Sequence, residues 1–89
     1  MQERAVTIVN KLGLHARAAS KLVKVAGQFA STVRIATEQK TVDGKSIMSV
    51  MLLAATQGTA VVLRTEGDDE IAAMDAIVAL IEDRFGEGE

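Results

Sequence analysis

The chain has 89 residues, a length that suits one domain, 1–89, with an efficiently built core, because small domains bury a modest fraction of their surface. It contains no cysteine and one histidine, which excludes a disulfide framework, a thiol nucleophile, a Cys-ligated metal and a His-rich metal site. The hydrophobic fraction, 48%, is that of a globular domain, and the net charge is only −2.

The charge is distributed unevenly along the chain. Residues 1–45 hold eight basic and three acidic side chains, whereas residues 46–89 hold two basic and nine acidic ones. Such asymmetry is typical of a surface that meets an oppositely charged partner, and separate solvated faces account for it equally well. The N-terminus lacks the pattern of a secretory signal and the longest near-apolar run, 47–55, is too short to span a bilayer, so we expect a cytoplasmic protein without membrane insertion.

Strand and helix patterns alternate from the start of the chain. Residues 5–9 alternate as a half-buried strand does, with Val6 and Ile8 turned inward. From residue 16 the period becomes that of a helix, which Gly27 can close. The apolar face of this first helix is predicted to consist of Ala16, Ala19, Leu22, Val23 and Ala26.

A hairpin and a short helix are predicted next. Residues 32–36 alternate again, and a polar turn leads to a short strand around 40–42. Ser46 can cap a second helix that ends at Gln57-Gly58. The apolar surface of that helix would come from Ile47, Met48, Val50, Met51 and Leu52.

A fourth strand, 60–65, and a last helix complete the predicted order, βαββαβα. The last helix begins near Asp68 or Asp69, whose charges suit a helix N-terminus, and Arg84 and Gly86 mark its end. Two split β-α-β units imply an α+β open-faced β-sandwich, a four-stranded antiparallel sheet with three helices on one face. The apolar residues of the last helix are Ile71, Met74, Ile77, Val78, Ile81 and Phe85.

The only histidine, His15, lies where a loop enters the first helix. Unpaired backbone N–H groups with positive partial charge favour a neutral, nucleophilic imidazole at such a place. The N–H groups of Ala16 and Arg17 would also bind a phosphoryl group on the ring, and the Arg17 guanidinium could add charge-assisted bonds. On position alone, a capping role for His15 and a surface role for Arg17 are the stronger interpretation.

Two segments resemble motifs of one protein family. Residues 13–20, GLHARAAS, resemble the phosphorylation motif of the histidine-containing phosphocarrier protein (HPr) family, in which a histidine precedes Ala-Arg at the start of the first helix. Residues 42–51, VDGKSIMSVM, resemble the segment around that family's regulatory serine, here Ser46. Two motifs in the same element order, over about residues 5–85, make a specific signal. One difference is Ala18, where the family usually has proline.

This resemblance implies a phosphocarrier of the phosphoenolpyruvate-dependent phosphotransferase system, a family that includes nitrogen-branch relatives. His15 would take a phosphoryl group on Nδ1 from enzyme I and pass it to an enzyme IIA domain, with Arg17 stabilising the group and with no cofactor. The protein would be a stoichiometric intermediate rather than a conventional multi-turnover enzyme, and we expect a monomer. The alternative is a nitrogen-branch or purely regulatory protein that acts by binding partners.

Two helices are predicted to meet partner proteins. The first carries cations opposite its apolar stripe and the second carries large apolar groups, and together they suit partners with acidic rims around their own histidines. We expect Met48 and Met51 to be partly exposed, although methionines at helical spacing more often belong to a core. The predicted docking residues are Ser20, Lys21, Lys24, Ile47, Met48 and Met51.

Ser46 is predicted to have two compatible roles. As an N-cap it stabilises the second helix, and as a regulatory site it would accept phosphate from an HPr kinase/phosphorylase. Phosphate is favoured at a helix N-terminus, yet about two added negative charges beside the docking surface would repel an acidic partner.

Other function classes fit the sequence less well. An RNA-binding sheet of this topology stacks bases on aromatic residues, and this chain has only Phe29 and Phe85, with a pI near 5.4, so no nucleic-acid partner is expected. A small-molecule-sensing domain would have no need of His15. The acidic second half, with Glu87 and Glu89 in an expected frayed tail, fits solvated helix faces rather than a metal site.

Overall fold

The computed structural model describes residues 1–86. Four antiparallel strands form one sheet in the order β1-β4-β2-β3, and three helices pack on one of its faces. The predicted α+β open-faced β-sandwich and its βαββαβα order are confirmed. In chain order the elements are β1 Gln2–Thr7, α1 Ala16–Ala26, β2 Thr32–Ala36, β3 Thr41–Asp43, α2 Ile47–Leu52, β4 Ala60–Glu66 and α3 Glu70–Glu82, followed by a 3-10 turn at Arg84–Gly86.

The hydrophobic core lies between the sheet and the helices. The two central strands place alternate side chains in it, as a period of two requires, so Val33 and Ile35 of β2 lie beside Val61 and Leu63 of β4. The helices supply the opposite wall of the core with Leu22, Val50, Met74, Ile77, Val78 and Ile81.

The outer face of the sheet is polar and contains no aromatic side chain among the described strands. Directly paired residues form a charged row across it, in which Arg64 Nε lies 2.6 Å from Glu3 Oε2.

The buried stripe of α1 differs from the predicted one. Ala18 is completely buried and Ala16 is exposed, while Val23 is half-buried. The large side chain of Leu22 sets the phase: at 100° per residue Ala18 lies only about 40° from it around the helix, and Ala16 lies about 120° away. Alanine is too small to fix that phase from sequence. Gly27 does cap the helix, but with φ of −67°, so no left-handed glycine is needed there.

The second helix ends earlier than expected, at Leu52 rather than at Gln57-Gly58. Ala54 adopts a φ of +54° and stops the helix, although alanine gives no sequence signal for a left-handed residue. Gln57 instead donates through Nε2 to the carbonyl oxygen of Val9, at 3.1 Å. The segment after α2 is therefore attached to the loop that follows β1.

The last helix also differs from its prediction at both ends. Ile71, expected in the core, is 63% exposed although it lies about 20° around the helix from the buried Val78, because the first turn of α3 extends beyond the layer on which the helix packs. Phe85 is completely buried as expected, but it lies beyond the helix, in a turn where φ is +54° to +74° from Arg84 to Gly86. The predicted acidic tail, with Glu87 and Glu89, lies outside the described residues.

Candidate functional site

His15 is the N-cap of α1. Its backbone is extended, with φ −75° and ψ 179°, and its carbonyl oxygen accepts the first helical bond from the Ala19 amide at 2.8 Å. Its side chain turns back to the same helix, where Nδ1 accepts a hydrogen bond from the Arg17 amide at 3.3 Å. An acceptor nitrogen carries a lone pair, so a neutral ring that accepts this bond has its lone pair on Nδ1 and its proton on Nε2.

The first turn of α1 offers donors around this nitrogen. Ala16 and Arg17 are its first two residues, whose amides have no acceptor within the helix, and both residues are exposed. No acidic side chain lies in this turn. An anion bound at Nδ1 would therefore meet backbone donors and the positive end of the helix, without a nearby carboxylate of the same helix.

The loop before His15 is fixed to the loop after α2. The Leu14 amide donates to the Ala55 carbonyl oxygen at 2.9 Å, and Gly58 donates to Ile8 at 2.8 Å. Gly13 has φ +66°, and a Cβ atom on it would lie 2.5 Å from the Ala55 oxygen. Glycine is therefore required at this position both for the backbone angle and for the close approach of the two loops.

The cationic face of α1 is present, with one difference from expectation. Arg17, Ser20, Lys21 and Lys24 are all exposed and follow the spacing of one helix face. However, Lys21 Nζ donates to the Phe85 carbonyl oxygen at 2.6 Å, which ties α1 to the turn after α3. Lys21 thus has a structural contact that the sequence did not indicate, and its ammonium is less available to a partner than that of Lys24.

Large apolar side chains are exposed on α2, which packs against α1. Met48 is 72% exposed and Met51 43%, so the predicted partial exposure of both is confirmed. Ile47 is exposed as well. Leu12, in the loop before His15, is 66% exposed and was missed, because a single leucine in a loop gives no periodic signal.

Ser46 is the N-cap of α2, as predicted. Its Oγ accepts a hydrogen bond from the Ser49 amide at 3.3 Å, and the residue is half-exposed. The preceding turn is held by Asp43 Oδ1, which accepts from the Lys45 amide at 2.9 Å. Gly44 is needed there, since a Cβ atom on it would lie 2.6 Å from Val33 Cγ1.

Asp69 lies at the N-cap of α3, but its carboxylate does not cap that helix. It accepts hydrogen bonds from the amides of Ala30 and Ser31, each at 2.9 Å, and from the Ser31 hydroxyl. The Ser31 hydroxyl and then the Ala30 amide hold the pKa of Asp69 below its ordinary value. No sequence pattern indicates this contact, because it joins residues 38 positions apart.

Glu70, the next residue, is also engaged within the chain. Its carboxylate lies 2.9 Å from the N-terminal ammonium and accepts from the Gly67 amide at 3.2 Å. The ammonium and then the Gly67 amide lower the pKa of Glu70. In return, the Glu70 carboxylate raises the pKa of the N-terminal ammonium. Within residues 1–86 no group of three or more His, Cys, Asp or Glu side chains is arranged to hold a metal ion, and no helix there is long and apolar enough to cross a membrane.

The comparisons agree with the geometry at His15. Residues 2–83 match the family model described as the PTS HPr component phosphorylation site. The chain is 57% identical to the phosphocarrier protein HPr of Cupriavidus necator, over 100% of both chains. It is 42% identical to the phosphocarrier protein NPr of Shewanella violacea, over 96% of this chain and 93% of that one.

Solved structures lead to the same family. A crystal structure of HPr from Thermoanaerobacter tengcongensis superposes with a TM-score of 0.94 at 47% identity, covering 98% of each chain. A crystal structure of an HPr dimer from the same organism has a TM-score of 0.79 at 47% identity, covering 98% of this chain and 100% of that one. The chain thus belongs to the HPr family, the phosphocarrier proteins of the phosphotransferase system, which includes the nitrogen-branch relatives.

Proposed function

We propose that this chain receives a phosphoryl group on Nδ1 of His15 from enzyme I and transfers it to a histidine of an enzyme IIA domain. The observation that carries the proposal is the position of Nδ1, which faces the first-turn amides of α1 in a chain of the HPr family. The identity to HPr, 57%, exceeds that to NPr, 42%, and favours enzyme I over a nitrogen-branch donor.

The transfer is a displacement at phosphorus. The Nδ1 lone pair of His15 forms the new N–P bond while the N–P bond of the donor histidine breaks, and the donor ring keeps that electron pair. The amides of Ala16 and Arg17 and the Arg17 guanidinium bind the phosphoryl oxygens as charge develops on them. The second transfer, to enzyme IIA, runs through the same arrangement in reverse, with the imidazole of His15 as the leaving group.

Docking is proposed to use the two helices beside His15. Arg17, Ser20, Lys21 and Lys24 offer donors and positive charge to an acidic rim, and the exposed side chains of α2 offer apolar contact area. Methionine suits a surface that packs against two different partners, because its thioether chain adapts its shape. We propose that the protein acts in the cytoplasm as a monomer, since both transfers need this surface uncovered.

Ser46 is proposed as the regulatory site on the same surface. It precedes the apolar residues Ile47 and Met48 directly, so phosphate on its half-exposed hydroxyl would place negative charge against any partner seated on α2. An HPr kinase/phosphorylase is the partner that this role requires. Phosphorylation would then lower the rate at which His15 accepts phosphate from enzyme I.

Incubation with phosphoenolpyruvate and enzyme I tests the proposal. The expected result is a mass increase of one phosphoryl group that is lost in acid, absent in His15→Ala and retained in Ser46→Ala. Labelling of His15→Ala would place the phosphate elsewhere, and no labelling of the wild type by enzyme I would reject the proposal. A parallel incubation with a nitrogen-branch enzyme I distinguishes the two branches by rate.

A further inference from the structure

Asn10 occupies an unusual position in the loop between β1 and α1. Its side chain is completely buried, although asparagine is commonly exposed in loops. Its Nδ2 donates to the Gly13 carbonyl oxygen at 2.8 Å, and the Gly13 amide donates back to the Asn10 carbonyl oxygen at 3.2 Å. These bonds run in opposite directions and close residues 10–13 into one turn.

The turn determines how the chain leaves Gly13. Gly13 has a left-handed φ of +66°, and its carbonyl group belongs to the peptide bond that leads into Leu14. The Leu14 amide, at the other side of that same peptide, donates to Ala55. Both ends of the Gly13–Leu14 peptide are therefore held, its oxygen by Asn10 and its nitrogen by Ala55, so its plane cannot rotate without breaking a bond.

His15 follows this peptide after a single residue, Leu14, which is itself buried. The imidazole must meet the Arg17 amide at its Nδ1, and that bond is long, at 3.3 Å, so a small rotation of the preceding backbone would remove it. The ring orientation therefore depends on the backbone that leads to it.

We propose that Asn10 is a positioning residue for His15: by fixing the Gly13–Leu14 peptide it directs Nδ1 to the N-terminus of α1. This rests on the proposed function, in which Nδ1 is the phosphoryl acceptor. Asn10 does not contact the phosphoryl group, because it is buried and its amide points to Gly13. Its effect is on the geometry of transfer, where a misplacement of about 1 Å can cost a factor of about 100 in rate.

Two variants test the proposal. Asn10→Ala removes the donor and leaves space, whereas Asn10→Leu removes the donor and fills the buried space with a side chain of similar shape. Ile77→Val, a buried change in α3 far along the chain from this loop, is the control for a general loss of stability. Circular dichroism establishes which variants are folded.

Two measurements are made on each protein. In transfer from phosphorylated enzyme I, kcat should fall about tenfold or more in the Asn10 variants while KM stays within about twofold, because the docking surface is unchanged. In 15N NMR, the ring nitrogens of His15 should show a changed tautomer ratio in the Asn10 variants and an unchanged one in Ile77→Val.

Each outcome decides the proposal. It is overturned if Asn10→Leu matches Ile77→Val in kcat and in the ring spectrum, if only KM changes, or if neither Asn10 variant folds, since Asn10 would then hold the domain rather than the ring. The NMR measurement needs no enzyme I. If the wild type is not phosphorylated at all, the proposed function fails while the ring spectrum still decides the role of Asn10.

Discussion

The N-termini of α1 and α3 begin with similar backbone donors and use side chains in opposite ways. At α3 the chain supplies its own anions, Asp69 and Glu70, both engaged by donors of the same chain. At α1 the first turn has no acidic residue, and the capping group is the imidazole of His15, which accepts one long bond and stays half-exposed. The N-terminus of α1 is therefore an anion site that no carboxylate of its own helix occupies, whereas two carboxylates of the chain already lie at the N-terminus of α3.

The largest effect is expected when the N-terminus of α1 is given a carboxylate cap like the acidic residues at the N-terminus of α3. His15→Asp should abolish acid-labile labelling completely, since an aspartate cap is not a phosphorylatable imidazole and repels phosphate. The same change should raise the free energy of unfolding by about 0.5–1 kcal/mol, because aspartate is a preferred N-cap and its charge suits the helix dipole. Labelling with enzyme I and urea denaturation measure the two effects.

The control for this substitution is His15→Ala, which should also lose labelling but without any gain in stability. If His15→Asp were less stable than His15→Ala, the N-terminus of α1 would not stabilise a negative charge. The idea of an unfilled anion site at this helix would then be wrong.

A partial effect is expected when only the guanidinium is removed. Arg17→Ala should lower the rate of transfer from enzyme I by about 10- to 100-fold without abolishing it, because the backbone donors of the first turn remain. Rapid-quench measurement of the labelling rate checks this. Lys24→Ala, a loss of charge on the same helix face, should change the rate much less at physiological salt.

The rates of Arg17→Ala and Lys24→Ala together test whether Arg17 binds the phosphoryl group directly. An equal decrease in Arg17→Ala and Lys24→Ala would mean that Arg17 acts through general attraction of an acidic partner. In that case raising the salt concentration would remove the difference between each variant and the wild type.

At α3 the expected effect is on stability instead. Asp69→Asn should lower the free energy of unfolding, because the neutral amide is a weaker acceptor for Ala30 and Ser31, and should leave phosphoryl transfer unchanged. The pKa of Asp69 is lower in the folded protein, so its charge stabilises the fold above about pH 4, the ordinary range of an aspartate, and this stabilisation is lost as the pH falls through the folded value.

Denaturation of both proteins over a series of pH values measures this dependence. The free energy of unfolding of Asp69→Asn should lie furthest below that of the wild type near pH 7, and this difference should become smaller at acidic pH. Asp68→Asn removes an exposed neighbouring charge and is the matched control. If this difference in the free energy of unfolding stayed constant down to pH 2, the contact with Ser31 would not depend on the charge of Asp69.

The same two ends show what the sequence could and could not predict. The place of His15 at the start of α1 was predictable, because the glycine before it and the helical period after it lie within one short segment, whereas its proposed role came from the resemblance of residues 13–20 to a family motif. The Asp69 contact joins the segment before β2 to the start of α3 and depends on how these two segments pack, which no local pattern encodes. Asp69 was therefore expected to serve its own helix and instead binds the segment before β2.

The element order was predictable for a related reason. Large side chains such as Leu22, Ile35 and Leu63 keep a strict period, and they fix the type of each element. Where alanine replaces them the period says little, so the exposed Ala16, the buried Ala18 and the left-handed Ala54 were all missed. The exposure of Ile71 was missed because a helix can extend beyond the layer it packs on.

The smallest expected effect concerns Ala18, the third residue of α1, where the family usually has proline. The His15 ring accepts from the Arg17 amide, not from that of Ala18, so the donor that proline lacks is not one that holds the ring. Ala18→Pro should therefore keep the labelling rate within about twofold. It should change the free energy of unfolding by less than about 1 kcal/mol, because proline lowers the entropy of the unfolded chain while its larger ring packs too tightly at this buried site, and the two effects oppose each other. A tenfold slower rate in a variant of unchanged stability would instead show that the Ala18 amide donates a hydrogen bond to the phosphoryl group. The anion site at the N-terminus of α1 would then extend one residue beyond Arg17.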